Sequence, residues 1–227
     1  MNAPGVPASR GSRMLIACPG CGTPIDRSVV AIEKRKLLVV EGRDEEEFFA
    51  ALLSHLDLPD IQVAGIGGKQ QIKPRLKALV KDPGFSKILS LGVIRDADKR
   101  PTSAFQSVRD ALIAAGLPSP KQPLRPAKGP PRVNVMILPS AVRKGALEDL
   151  CLETMAGEPA MACADEFFDC IRQRDIKWPK EISKARVRVF LSSREDPKLP
   201  LGIAAQRGYW PFDHAAFQPL REFLRSL

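Results

Sequence analysis

From residue 36 to residue 138 the chain alternates between short unbroken apolar runs and longer stretches with an apolar stripe. KLLVV at 36–40 is a continuous aliphatic and β-branched run after Lys36, which predicts a strand buried on both sides of a parallel sheet. DEEEFFAALLSHL follows, with acids in its first turn and Phe48, Phe49, Leu52, Leu53 and Leu56 at helical spacing. The helix it predicts should stop at 57–60, where Pro59 stands. IQVAGIGG reads as a second strand breaking at Gly67-Gly68. KQQIKPRLKALVKDPGF reads as a second helix in which Pro74 fits only the first turn and Asp82-Pro83-Gly84 is the stop. KILSLGVIRDAD is a third strand, nearly all apolar until Asp96 and Asp98, and SAFQSVRDALIAAGL is a third helix closed by Gly116. Strand and helix in strict alternation predict an α/β fold with a mostly parallel sheet flanked by helices and right-handed crossovers.

Beyond this series the pattern changes. PSPKQPLRPAKGPP at 118–131 is proline-rich, basic and poor in apolar residues, and reads as a loop on the rim. RVNVMILP restores a strand and GALEDLCLETM opens a helix. ADEFFDCIRQRDI and KARVRVFLSS have helical periodicity, although the β-branched residues of the second leave a strand open. AFQPLREFLRSL closes the chain as an amphipathic helix. Residues 34–227 thus read as the α/β domain with a helical C-terminal part. Residues 1–13, rich in Pro, Gly, Ala and Ser, read as a flexible tail, and 14–33 as a small Cys-containing appendage. There Cys18 and Cys21 of CPGCG have the spacing of half a zinc knuckle, and a Zn2+ site is one expectation. The second pair is missing: Cys151, Cys163 and Cys170 fall in helical patterns, where a buried apolar cysteine is commoner than a ligand.

Charge narrows the partners. Lys and Arg number 35 against 26 Asp and Glu, a net +9, which favours a polyanion such as DNA or RNA, or serves solubility alone. No apolar run approaches the roughly 20 residues that cross a bilayer, so no membrane role is expected. MLIAC is too short for a secretory leader, and the 5 cysteines, an odd number, do not form a disulfide framework. A cytoplasmic location is the expectation.

In an open parallel sheet, ligands collect beyond the carboxyl ends of the strands. Here that edge is acidic: Glu41 ends the first strand, Asp96 and Asp98 end the third, and Glu148 lies just past the fourth. Clustered carboxylates raise one another's pKa unless a cation neutralises them, and a hard divalent ion, Mg2+ or Mn2+, does so while leaving room for a phosphate. For Asp96 and Asp98 the competing reading is a turn that caps the third helix. Asp149 stands beside Glu148 and is exchangeable with it. Candidate phosphate contacts are Lys69 after the glycine turn, Lys99 and Arg100 beside the aspartates, and Arg207. No Ser/His/Asp arrangement is present, GIGGKQQ lacks the spacing of a phosphate loop, and Trp210 with Tyr209 read as core anchors.

The pair VVEGRDE and GVIRDAD, in that order at strand ends, resembles the TOPRIM fold of topoisomerases, bacterial primases and overcoming-lysogenization-defect nucleases. GGKQQI, KGALEDLCL and LGIAAQRGYWPF make the stretch from about residue 36 onward similar to an uncharacterised bacterial TOPRIM-like family. The resemblance implies Glu41 as metal ligand or acid/base group and Asp96 and Asp98 as magnesium ligands. It implies Glu148 as a later acidic position and Asp44 as a second-metal acid, the alternative for Asp44 being a simple N-terminal helix acid. Glu45, Glu46 and Glu47 are expected to be solvated. The implied activity is Mg-dependent phosphodiester chemistry on nucleic acid by a TOPRIM-type nuclease. The alternative is a non-catalytic module that binds metal and nucleic acid, as a homodimer or with a partner protein in a defence system. At this length neither a topoisomerase, with its DNA gate, nor a primase, with its accessory domains, is the expectation.

Overall fold

A strand with apolar side chains on both faces needs cover on both faces, and the sheet is built that way. The computed structural model describes residues 31–227 and, as backbone, two short strands before them, β1 (Ile16–Ala17) and β2 (Pro24–Ile25), paired antiparallel. The chain divides into two units, 1–31 and 32–227. Cys18 and Cys21, the proposed tail and most of the appendage lie outside the described residues.

The second unit carries a sheet in the order β4-β3-β5-β6, all parallel: β3 (Lys36–Val40), β4 (Ile61–Gly65), β5 (Ser90–Asp96) and β6 (Arg132–Leu138). Between them lie α1 (Arg43–His55), α2 (Ile72–Leu79) and α3 (Pro101–Ala114). The expected α/β architecture is therefore what forms. Strand alternation splits the core into two layers. Leu37, Val39, Leu91, Val93, Val133 and Val135 pack with α2 and α3, while Leu38, Val40, Ile94, Met136 and Leu138 pack with α1 and the C-terminal helices. Each fully buried aliphatic or aromatic side chain is worth about 1.5–3 kcal/mol, so neither face can be left bare.

The C-terminal half supplies α4 (Leu147–Thr154), α5 (Pro159–Gln173), α6 (Ile182–Ser192), α7 (Leu201–Gln206) and α8 (Gln218–Arg225). KARVRVFLSS is helix, not strand, because Val187, Phe190 and Leu191 then share one buried side. LGIAAQ gave no helical signal in the sequence, yet it forms α7 across α1. At Gly202 any Cβ would overlap the Asp44 carbonyl and come within 2.6 Å of the Glu47 Cβ, so only glycine allows this crossing. Trp210 stacks on Phe190 and donates its indole N–H to the Leu201 carbonyl at 3.1 Å, closing the same layer.

Two expectations change. The 118–131 segment is more than a rim loop: Leu124 donates to the Val135 carbonyl at 2.9 Å, and Ala127 and Val133 exchange backbone hydrogen bonds. It lies along the outer edge of β6 and satisfies groups that an open edge would leave bare. Cys151 is buried, but Cys163 and Cys170 are exposed. The buried face of α5 is Met161, Ala164 and Phe168, and the two cysteines fall off that stripe. Among the described residues no helix is long and apolar enough to cross a membrane.

Candidate functional site

The parity of the strands decides which acid faces which layer. Along β5, Leu91, Val93 and Arg95 share one face and Ile94 and Asp96 the other. Val39 is paired with Val93, so Glu41, just past the end of β3, comes beside Arg95. Asp96 instead points toward α1 and α4. The two acids come within electrostatic range because both stand at the carboxyl edge of the sheet.

Loops complete the arrangement. After β5 the chain runs beside the segment after β6: Ala97 donates to the Leu138 carbonyl at 2.7 Å, and Asp98 and Gly145 exchange backbone hydrogen bonds at 2.9 and 2.8 Å. Asp98 takes a left-handed backbone (φ 51°), which aspartate tolerates better than most residues. This pairing sets the start of α4 against the end of β5, where the Leu147 N–H donates to Asp96 Oδ1 at 3.1 Å. Asp149 is consumed as a structural cap: its Oδ2 accepts the Ala146 N–H at 2.8 Å and its Oδ1 accepts the Ser183 hydroxyl at 2.6 Å. Glu148 is left to interact with Asp96, Glu45 and Lys184, whose Nζ lies 3.7 Å from Glu148 Oε1.

Glu41, Glu45, Asp96 and Glu148 form one electrostatic cluster. Burial pushes Asp96 well above the usual carboxylate range, Glu148, Glu45 and Glu41 push it further, and the Leu147 N–H opposes them. Burial likewise raises Glu41, Glu45 and Glu148. Arg95 and Lys69 partly offset it at Glu41, and Lys184 does so at Glu45 and Glu148. For Lys184 itself, burial acts to lower the pKa, but Glu148, Glu181 and Glu45 outweigh it and the ammonium is stabilised. One oxygen, Glu41 Oε2, is buried without a hydrogen-bond partner. A buried, unpaired carboxylate oxygen is costly, and a cation is the natural way to satisfy it.

A second group adjoins the first through Glu41. Lys69 Nζ donates to Asp98 Oδ2 at 2.8 Å, a bond that raises the lysine pKa, and the charge and nearby backbone N–H of Lys69 favour the Glu41 anion. The expected trio is thus distributed: Glu41 couples both to Asp96 and to Asp98, while Asp98 is held by Lys69. Among the described residues no three His, Cys, Asp or Glu side chains are placed to hold one metal ion as they stand. The donor set nevertheless has the chemistry of a hard divalent cation, all carboxylate oxygen with one buried oxygen unsatisfied.

Asp96 and Asp98 do not cap α3, whose N-cap is Arg100 with no side-chain hydrogen bond. Asp44 is exposed, on the side of Glu45. Glu45, expected to be solvated, is half-buried. It sits at the third position of α1 and folds back over Gly42, where an added Cβ would meet its Oε2 at 2.8 Å. Acids at that position characteristically reach back toward the helix start, a signal the sequence did carry. Glu46 lies against Gly65, and Glu47 contacts Arg43 and Gln206. Lys184 was not foreseen, because nothing in KARVRVFL ties it to an edge built by earlier segments of the chain. Lys99, Arg100 and Arg207 are exposed, and none has a side-chain bond to the cluster among the described residues.

Residues 35–227 match the family described as "Protein of unknown function (DUF3226)". The chain belongs to the DUF3226 family. No curated protein sequence matches it. Among solved structures it is similar to the C-terminal region of the Xanthomonas campestris pv. campestris OLD protein, with 18% identity, 85% of this chain and 95% of that chain covered, and a TM-score of 0.43. It is also similar to the C-terminal region of the Burkholderia pseudomallei OLD protein, with 14% identity, 86% and 98% covered, and a TM-score of 0.45. The family match begins just before β3, so it includes every acid of the cluster.

Proposed function

We propose that this DUF3226 chain is a Mg2+- or Mn2+-dependent phosphodiesterase of TOPRIM type that acts on DNA or RNA. The observation that carries the reading is the buried Glu41 oxygen without a hydrogen-bond partner, at the sheet edge that also carries Asp96, Glu45 and Glu148, acids that burial and like charge drive toward protonation. Glu41, Glu45, Asp96 and Glu148 are the residues that would hold the cation, with Asp44 and Asp98 beside them. When bound, such a cation polarises a phosphoryl oxygen and acidifies water.

The chain's own residues supply the remaining functions. Arg95 and Lys69 restrain the charge on Glu41, and Lys184 restrains that on Glu148 and Glu45, so the cluster holds together before a cation arrives. Lys69, beside Asp98, and the exposed Lys99, Arg100 and Arg207 are the phosphate contacts of this reading. The net +9 adds long-range attraction for a polyanion. A cytoplasmic location belongs to the same proposal.

A second reading is favoured by one observation, the lack among the described residues of three acids already placed around one ion. In it, the chain binds metal and nucleic acid without cleaving and acts with a partner protein, for instance in a defence system. Incubating the purified chain with single- and double-stranded DNA and RNA, with Mg2+ or Mn2+, separates the two. Cleavage that chelator abolishes and that Asp96→Asn and Glu41→Gln lose establishes the phosphodiesterase. Cation binding without cleavage establishes the module, and no cation binding overturns both.

A further inference from the structure

α6 and the segment leading into α7 enclose a cavity of about 380 Å³. Glu148, Asp44 and Lys184 line one end, so it opens directly beside the carboxylate cluster. Its accessible wall is apolar where Pro197, Leu199 and Pro200 contribute, Val187 and Leu191 being almost wholly buried, and Arg188 and Lys198 bring positive charge.

The ion pairing of this region is selective. Arg186 is paired with Asp165, and Arg194 with Glu158. Arg188 and Lys198, the two cations on the cavity away from the acids, have no side-chain hydrogen bond or ion pair among the described residues. Both are exposed. An apolar wall beside two uncommitted cations is complementary to a ligand with a flat apolar body and an anionic group. The volume lies at the small end of the roughly 300–1,000 Å³ of ligand sites, room for one nucleotide unit and not for the width of a duplex.

We propose that this cavity binds one unpaired nucleotide of the strand whose phosphodiester reaches the carboxylates. Its base and sugar lie against Pro197, Leu199 and Pro200, and its phosphate lies between Arg188 and Lys198. The inference rests on the phosphodiester reading for the role of the neighbouring acids, and it narrows the substrate to single strands or frayed ends.

The test is fluorescence anisotropy of a short fluorescein-labelled oligodeoxythymidine, and of a duplex of equal length, with the full chain in chelator-containing buffer. Three variants are compared with the native chain: Arg188→Glu with Lys198→Glu, Ser192→Trp, which fills the cavity without changing charge, and Lys121→Glu with Arg125→Glu as a charge-matched control. Circular dichroism confirms that each is folded. The single strand is expected to bind about tenfold more tightly than the duplex, and both cavity variants to lose about tenfold while the control loses less. Equal binding of duplex and strand overturns the proposal. So do unchanged affinity in both cavity variants and displacement of the strand by a poly-glutamate peptide at equal concentration. Because the buffer is metal-free, these results do not depend on cation binding at the acids. Mg2+ titration of the same proteins by calorimetry tests the phosphodiester reading separately.

Discussion

The backbone N–H of Leu147 and the carboxylate of Asp96, 51 residues apart in the chain, meet at 3.1 Å. This bond ties the start of α4 to the end of β5 and holds Asp96 in place. It also opposes the burial and like charge that disfavour the Asp96 anion.

Asp96→Asn keeps an acceptor for Leu147 and removes the charge. The metal-free variant is expected to be more stable than the native chain, on the order of 1 kcal/mol or about 2–4 °C in Tm, as is common when a strained functional acid is neutralised. It should lose stabilisation by Mg2+ and any cleavage. Thermal denaturation with and without Mg2+ measures both effects.

The raised acids set a pH dependence whose sign is fixed. Folded Glu41, Glu45, Asp96 and Glu148 retain protons at pH values where the unfolded chain has released them. Stability of the metal-free protein from these groups is therefore full below the ordinary carboxylate range and falls as pH rises through their raised values. Asp60, lowered by its hydrogen bond from Lys36, contributes with the opposite sign at the acid end. A Tm–pH series should show a steeper fall above the ordinary carboxylate range in the native chain than in Asp96→Asn. The Tm gain from Mg2+ should grow with pH.

Lys69 occupies an oxygen of Asp98. Lys69→Met is expected to free that carboxylate and tighten Mg2+ binding, while weakening nucleic acid and reducing the salt slope of its affinity by about 1. Calorimetry and anisotropy at several salt concentrations read the two changes, and weaker Mg2+ binding in the variant would count against this competition.

Gly202→Val tests the crossing of α7 over α1. The added side chain overlaps the Asp44 backbone, so a loss of about 3 kcal/mol is expected in urea denaturation. A variant as stable as the native chain would mean that α7 does not sit so close.

What the sequence made legible follows from how local each signal is. The inner strand β3 was readable because burial on both faces favours an apolar run, as at 37–40, and the positions of Glu41 and Asp96 at the sheet edge were readable because they follow such runs. α7 was not, since LGIAAQ has weak local preference and its helix is set by the fit of Gly202 under Asp44. The exposure of Cys163 and Cys170 was missed because periodicity announces a helix before it reveals which side is buried. The partition between Glu148 and Asp149 needed Ser183 and Ala146, contacts that only the folded chain brings together. Lys184 and its cavity come from a distant segment for the same reason.

The most direct measurement is calorimetric titration of Mg2+ into the metal-free chain and into Glu41→Gln, with circular dichroism to confirm that both are folded. Saturable binding to the native chain, weakened at least about tenfold in the variant, is expected if the unpaired Glu41 oxygen waits for a cation. Absence of binding, or equal binding to both proteins, would contradict it.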